Sequence, residues 1–550
     1  MIPNPLRSLF FSLCLGAFVL AGGGPAVEAA ELDFRVMDEM PVQDGGRKKP
    51  FYVFATESLL ALTGRSTLKV DERRMPADEV VTRIWVRDRN WATVPMILVD
   101  YLPLKEDLGL PSGEKLFAYE TLSRNERLGD LLNEAAAERA RDQRTPLRGV
   151  LKEVASVGLR LAVFEALQNG TAFRVVPDSG PVWRLVPRDQ PEFARLRAAI
   201  VSNDNAEFAA AALALQEGVA GVDPGEMPSP RIMALEVFYQ QLHPFRWAWI
   251  FYATATIVLA VTSVYFREIG YRIGMTLASI GAVLLVGGFI ARTWISGRAP
   301  VTNMYESIIW VALGTVGFAL VFEAIYRSRY FLMGASPVAV VSLMVADAAP
   351  LKFDPGISPL VPVLQSNFWL TTHVLTITLS YAAFALALGV AHIALGKVIF
   401  GRKPDSALYN YIYRCLQIGV LLLAAGTLLG AVWANYSWGR FWDWDPKETW
   451  ALVALLAYLF ILHGRIAGKW GGFGLAVGSV LGFLTILMAW YGVNFVLGVG
   501  LHSYGFGSGG LGYAVTFVVL EVAFVALAFW RKFQANPATG ERASKPVAVA

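Results

Sequence analysis

Residues 438–450 read WGRFWDWDPKETW, with four tryptophans and five charged side chains in thirteen positions. Apolar runs at about 415–434 and 449–463 flank the stretch, so it lies where a chain leaves and re-enters a membrane. Asp445, Pro446, Lys447 and Glu448 follow the order N-cap, N1, N2, N3. Proline is tolerated at N1, and a glutamate at N3 reaches back as in a capping box, so a helix is predicted to start at residue 446. Pro446 favours an extended Asp445. In an extended segment Trp442 and Trp444 project to one side and Asp443 to the other. Tryptophans do gather at membrane interfaces as anchors. Trp433, Trp438, Trp442, Trp444 and Trp450 together exceed what anchoring requires. An aromatic shelf backed by polar groups suits a large, flat, apolar ligand.

Outward from this stretch the chain is apolar enough to cross a membrane repeatedly. Of its 550 residues 55% are hydrophobic and 17% charged, and the mean hydropathy is +0.46. Nine spanning runs are expected, near 247–266, 273–290, 307–326, 331–346, 369–396, 415–434, 449–463, 474–497 and 511–530. Before them, charge and proline are frequent from Glu31 to about Gln241. The expected fold is an all-α polytopic membrane protein with about nine transmembrane helices, preceded by a mixed, mainly helical soluble domain. Residues 1–29 carry Arg7, an apolar run from Leu9 to Leu20, a Gly-Pro break and AVEAA, the layout of a signal peptide, so the soluble domain is expected to be exported. The expected divisions are a signal at 1–29, an exported domain at 30–220, a linker at 221–245, a membrane domain at 246–531 and a cytoplasmic tail at 532–550.

An exported first domain makes the first span run inward, and the later loops then alternate. Near the helix ends the inner loops hold Arg267, Arg272, Arg327, Arg329, Lys397, Arg402, Lys403, Arg414, Arg465, Lys469, Arg531 and Lys532. The outer ones hold Arg246, Arg292, Arg298, Lys352, Arg440 and Lys447. This twofold excess obeys the positive-inside rule and puts the tryptophan stretch outside. The formal net charge of +4 is too small and too dispersed for a nucleic-acid partner. The two cysteines, Cys14 and Cys415, form no CxxC, which excludes thiol–disulfide exchange and leaves the exported domain without a disulfide. That domain has no histidine and no recognisable nucleophile–base pair, and reads as a docking or scaffolding domain. Its helical periodicity lies at KKPFYVFATESLLAL and from about Glu120 to Leu167, and TAFRVVPDSGPVWRLVP reads as a hairpin.

The stretch WGRFWDWDPKETWAL closely resembles the WWD motif of haem-handling proteins of cytochrome c maturation, those of the CcsA (ResC) type in particular. GRAPVTNMYES and GVNFVLGVGLHSYG extend the resemblance over roughly Arg298 to Phe506. The resemblance implies a shelf that presents haem at the outer face, here Trp438, Trp442 and Trp444 with Asp445, Lys447 and Glu448. It also implies two external histidines on the haem iron, and membrane histidines that hold haem b, the transported substrate, on its way out.

The histidine positions fit this independently. His373 opens the fifth span at the outer face and His502 follows the eighth, so both flank the tryptophan stretch. Neutral imidazole is a common iron ligand. His463 lies thirteen residues into the seventh span, about 20 Å deeper, and matches the family's membrane histidine. In related systems that histidine pairs with one from a CcsB (ResB) subunit or fused half. No such region precedes the first span here, so the partner is either His392, about 28 Å inward along the fifth span, or a separate CcsB-like subunit. His243 lies outside and is excluded from an inner-leaflet pair. Arg298, Arg440 and Lys447 are on the right side to meet haem propionates, and Arg298 and Lys447 fall within family-like motifs.

The implied function is haem export and presentation, with attachment to apocytochrome c, as part of a cytochrome c synthase. The competing class is a dihaem quinol-oxidising cytochrome b, for which His373 and His392, about 100° apart on one helix, would each need a partner helix. A solute transporter built on Asp445 and Glu448 lacks the intramembrane charges expected along its path. A reporter fused after Arg440 should report the outside and one after Arg402 the inside; the reverse pattern would overturn the sidedness of every histidine.

Overall fold

The computed structural model describes residues 32–141, 147, 149–187, 189–263, 265–348, 353–359, 367–497, 502 and 511–535. The expected signal peptide and the tail beyond residue 535 lie outside the described residues. The chain divides near residue 228 into two compact units.

The first unit mixes helices with short strands that pair two by two. The apolar period in residues 48–62 becomes α1 (Phe51–Thr63), stopped by Gly64 in the left-handed region at φ 72°. After α2 (Ala77–Val86), α3 (Leu102–Asp107) and α4 (Tyr119–Ser123) come two longer helices. These are α5 (Glu126–Arg141) and α6 (Gly149–Asn169), which bury Leu128, Leu131, Val154, Val157 and Phe164 against the core. The expected hairpin pairs Arg174–Val176 with Arg184–Leu185. Its neighbour Phe173 stacks on Trp85 at 4.1 Å with the rings 8° apart, and Phe51, Phe54 and Phe193 close round the pair. Helices α7 (Pro191–Ser202) and α8 (Asn205–Ala220) complete the unit.

The second unit is helical. Among the described residues nine helices are long and apolar enough to cross a membrane. The first combines α9 (Pro230–Leu242) and α10 (Pro244–Thr262), which meet at His243 in the left-handed region at φ 46°. It begins inside the stretch expected to link the domains, because Pro230 sits at a first helical position and Met233, Val237 and Tyr239 are buried. Next come α11 (Arg267–Ser296), α12 (Met304–Tyr326), α13 (Tyr330–Ala348), α14 (Asn367–Ile399), α15 (Ser406–Trp438), α16 (Pro446–Ile466), α17 (Gly472–Leu487) and α18 (Leu511–Ala535). Helix α17 continues into a π-helical stretch, Met488–Leu497. Such widened turns favour functional sites.

Helix α14 is the hub, packing on α12, α13, α15, α17 and α18, with 72% of its apolar window buried. Its closest partner, α15, presents a glycine stripe at Gly419, Gly426 and Gly430. A Cβ at these positions would lie 2.4 Å from Phe384, 2.8 Å from the Ile377 backbone and 2.5 Å from the His373 ring. Without a hydrophobic force between helices in lipid, such close approach supplies the packing. It also seats His373 directly over Gly430. Gly426→Ala meets backbone and is expected to destabilise by about 1–3 kcal/mol. Gly317→Ala, which meets nothing within 4 Å, should be neutral; thermal unfolding in detergent compares the two, and equal stability would contradict the close-approach account.

Candidate functional site

The start of α16 is built as its sequence dictates. Asp445 Oδ1 accepts the Lys447 backbone N–H at 2.8 Å, Glu448 reaches back to the Asp445 N–H, and the two complete a capping box. Glu448 Oε2 also accepts the Asp443 N–H at 2.8 Å, which curls the preceding residues over the helix end. The extended conformation expected for the tryptophans is not what forms. Trp444 adopts φ 55°, and Thr449 Oγ1 donates to its carbonyl at 3.2 Å. A left-handed tryptophan costs about 1–2 kcal/mol, set against the two bonds to Glu448. The turn leaves Trp444 68% exposed, with its ring edge-on to Trp442 at 5.7 Å.

Behind this turn lies a cavity that is partly open to the surroundings. His373, His502, Trp433, Trp442, Lys447 and Glu448 are in its wall; Trp438 and Trp444 are not. His373 and His502 therefore meet one space. His373 Nδ1 lies 2.7 Å from the Gly426 carbonyl, and His502 Nδ1 lies 2.9 Å from Asp445 Oδ1. Both partners only accept, so each Nδ1 carries the proton and donates. In a neutral ring so bound Nε2 carries the lone pair, and neither Nε2 has a hydrogen-bond partner among the described residues. Trp433 lies beside both rings, stacked with His373 at 6.2 Å and 6.0 Å from His502, and Trp438 meets His502 edge-on at 5.1 Å.

The cations divide differently from expectation. Arg298 is buried, donating to Thr302 Oγ1 at 2.7 Å and to the Ser358 carbonyl at 2.6 Å, and it approaches Glu306 at 3.6 Å. Its burial lowers the guanidinium pKa from the usual arginine value, and Glu306 opposes that shift. Arg292 shares Glu306 at 2.7 Å and holds the carbonyls of Pro355 and Gly356. Arg298 thus braces residues 353–359 and reaches the cavity only through Thr302. Lys447 does reach it, with Nζ 3.4 Å from the Trp490 carbonyl.

His392 and His463 have different neighbours. His392 Nδ1 bonds its own helix at the Leu388 carbonyl, its Nε2 lies 3.1 Å from Glu521 Oε2 on α18, and Phe524 stacks on its ring at 4.6 Å. His463 is exposed near the end of α16, with Nδ1 on the Leu459 carbonyl. Helix α16 packs on α15 and α17, whereas His392 faces α18. The His392 ring is thus turned to Glu521 and Phe524 of α18. His243, at the α9–α10 junction, lies apart from the cavity wall.

Sequence reasoning missed three cavity residues. Trp490 Nε1 donates to Ser307 Oγ at 2.9 Å, and Asn494 Nδ2 donates to the Trp490 carbonyl at 3.1 Å. The π-helical stretch that turns Trp490 and Asn494 inward has no marker in sequence.

Residues 301–502 match the family described as Cytochrome C assembly protein. The CcsA cytochrome c biogenesis protein of Synechococcus sp. strain CC9902 is 34% identical over 261 residues, 42% of this chain and 85% of that protein. The chain belongs to the CcsA family of cytochrome c biogenesis proteins. NrfI of Wolinella succinogenes is 29% identical over 503 residues, 84% of this chain, and the chain spans about half of NrfI's length, 53%. An alignment of 503 residues is longer than the 322 from residue 229 to 550, so the likeness to NrfI enters the first unit, beyond what CcsA proteins share. The solved structure of the cytochrome c haem lyase CcmF overlaps 52% of this chain and 50% of its own at 16% identity and a TM-score of 0.40, too distant to bear on function.

In this CcsA-family chain Asp445 has two duties, and two substitutions separate them. Asn is as good an N-cap as Asp, whereas Ala costs about 1 kcal/mol. Asp445→Ala is expected to speed amide exchange at Lys447 and Glu448 about fivefold and Asp445→Asn to leave it near wild type. Equal exchange in both would show that the cap does not hold the start of α16.

Proposed function

We propose that the outer cavity presents haem b for attachment to apocytochrome c, with His373 and His502 on the iron through Nε2. The observation that carries this reading is the matched state of the two imidazoles. They share one cavity, each Nδ1–H is bound to an acceptor, and each Nε2 is unpartnered. A metal-ligating histidine characteristically gives its other N–H to a carboxylate or carbonyl, which fixes the ring and raises its basicity. Two such rings suit a six-coordinate haem iron. Trp433 and Trp442 supply flat apolar walls.

The cysteines of the apocytochrome CxxCH motif would add to the haem vinyl groups, and this chain contributes no nucleophile. Its part is to hold the porphyrin and its iron in place, which makes it a component of a cytochrome c synthase. Haem would arrive from the inner leaflet by way of His463. With His392 engaged by Glu521, the second ligand there would come from a separate CcsB-like subunit; the exposure of His463 supports this. The protein would sit in the bacterial cytoplasmic membrane with the cavity and the exported domain on the periplasmic side.

Haem is expected to co-purify with a low-spin spectrum. His373→Ala and His502→Ala should shift that spectrum and recover it partly with added imidazole. Trp442→Ala should lose haem without imidazole rescue, and Trp444→Ala, whose ring is outside the cavity wall, should lose less. Haem-free protein from haem-replete cells, or normal haem content in both histidine variants, would refute the reading.

A further inference from the structure

Among the described residues four buried polar atoms near the end of α15 have no hydrogen-bond partner: Trp433 Nε1, Ser437 Oγ, and Arg440 Nη1 and Nη2. Native proteins leave few such atoms, and each asks for an explanation. Trp433 is only 1% exposed, and Ser437 follows it by one helical turn on the same face. Gly439, left-handed at φ 73°, ends the helix just before Arg440. Trp438 links the group. Its ring is 4.7 Å from Trp433, 5.6 Å from the Arg440 guanidinium and 5.1 Å from His502.

All four atoms donate. What the cluster lacks is an acceptor. Asp443 Oδ2 approaches Arg440 Nη2 at 3.1 Å without the alignment of a hydrogen bond, and Glu448 stands 3.9 Å away. The Asp443 side chain is 63% exposed, so another carboxylate can take its place without leaving a buried charge behind. A guanidinium fork offers two parallel donors that match a carboxylate, and the Trp438 ring, in contact with both, ties it to Trp433.

We propose that Arg440, Ser437 and Trp433 bind a carboxylate of the presented ligand, one propionate of the porphyrin. This rests on the outer cavity being the porphyrin site. It assigns the propionate contact to Arg440 of the tryptophan stretch rather than to Arg298 or Lys447. Arg298 has its donors committed to Thr302, Ser358 and Glu306, and Lys447 serves the wall formed by Trp490.

The test uses the full-length protein in detergent with iron-free protoporphyrin IX and its dimethyl ester, followed by porphyrin fluorescence. Omitting iron removes histidine ligation from the measurement. Wild type should prefer the diacid. Arg440→Met should weaken diacid binding about tenfold, the worth of a hydrogen bond to a charged group, and leave the diester unchanged. Ser437→Ala, which deletes one donor, should show a smaller loss in the same sense, and Arg440→Lys should keep part of the preference. Should Arg440→Met fold poorly, Ser437→Ala carries the same comparison. Equal affinity of wild type for acid and ester, alongside a histidine-dependent haem spectrum, overturns this proposal alone. Equal weakening of both porphyrins by Arg440→Met also overturns it. Failure of wild type to bind any porphyrin overturns it together with the cavity reading.

Discussion

The Asp445 carboxylate holds the first turn of α16 and the ring of His502 at once, through Oδ1 bonds of 2.8 and 2.9 Å. A carboxylate at a helix N-terminus is stabilised there by the helix dipole and the unpaired amides. The bond to His502 therefore starts from a side chain already fixed and 6% exposed. The tryptophan turn depends on the same helix start, because Glu448, one turn on, gathers the N–H groups of Asp443 and Asp445. Position and electronics are set together. The charge that caps a helix also orients an imidazole and raises the basicity of the nitrogen it leaves bare.

His373 is held by a different device. Its ring lies over Gly430 and donates to Gly426, two glycines of the stripe along which α15 meets α14. One imidazole is thus braced by an anion and the other by a neutral carbonyl and close helix packing. Around them the unit keeps charges paired below the surface: Arg292 and Arg298 share Glu306, and His392 meets Glu521. Buried pairs of this kind are costly to break from one side, and they tie α12 to residues 353–359 and α14 to α18.

Much of this was legible in the sequence because the bilayer imposes a length. Nine apolar runs, the capping box at Asp445 and the placing of His373 and His502 beside the tryptophans all follow from local pattern and alternation. What was not legible depends on distant residues. Nothing in WDWDP announces that Trp444 turns left-handed, since that conformation is maintained by Glu448 and Thr449 from the next helix. Arg298 looked available because Ser358 and Glu306 are remote from it in pattern, and His392 looked available because Glu521 lies 129 residues away. The glycines of α15 were visible as glycines, but only the packing of α14 gives them a purpose.

The central claim is that one haem iron takes both external histidines through Nε2. Hyperfine spectroscopy on haem-loaded protein carrying ¹⁵N-histidine counts the axial nitrogens directly. The account predicts two histidine nitrogens on the outer-cavity haem of wild type and one in each of His373→Ala and His502→Ala. Two axial histidine nitrogens retained in either variant would contradict it.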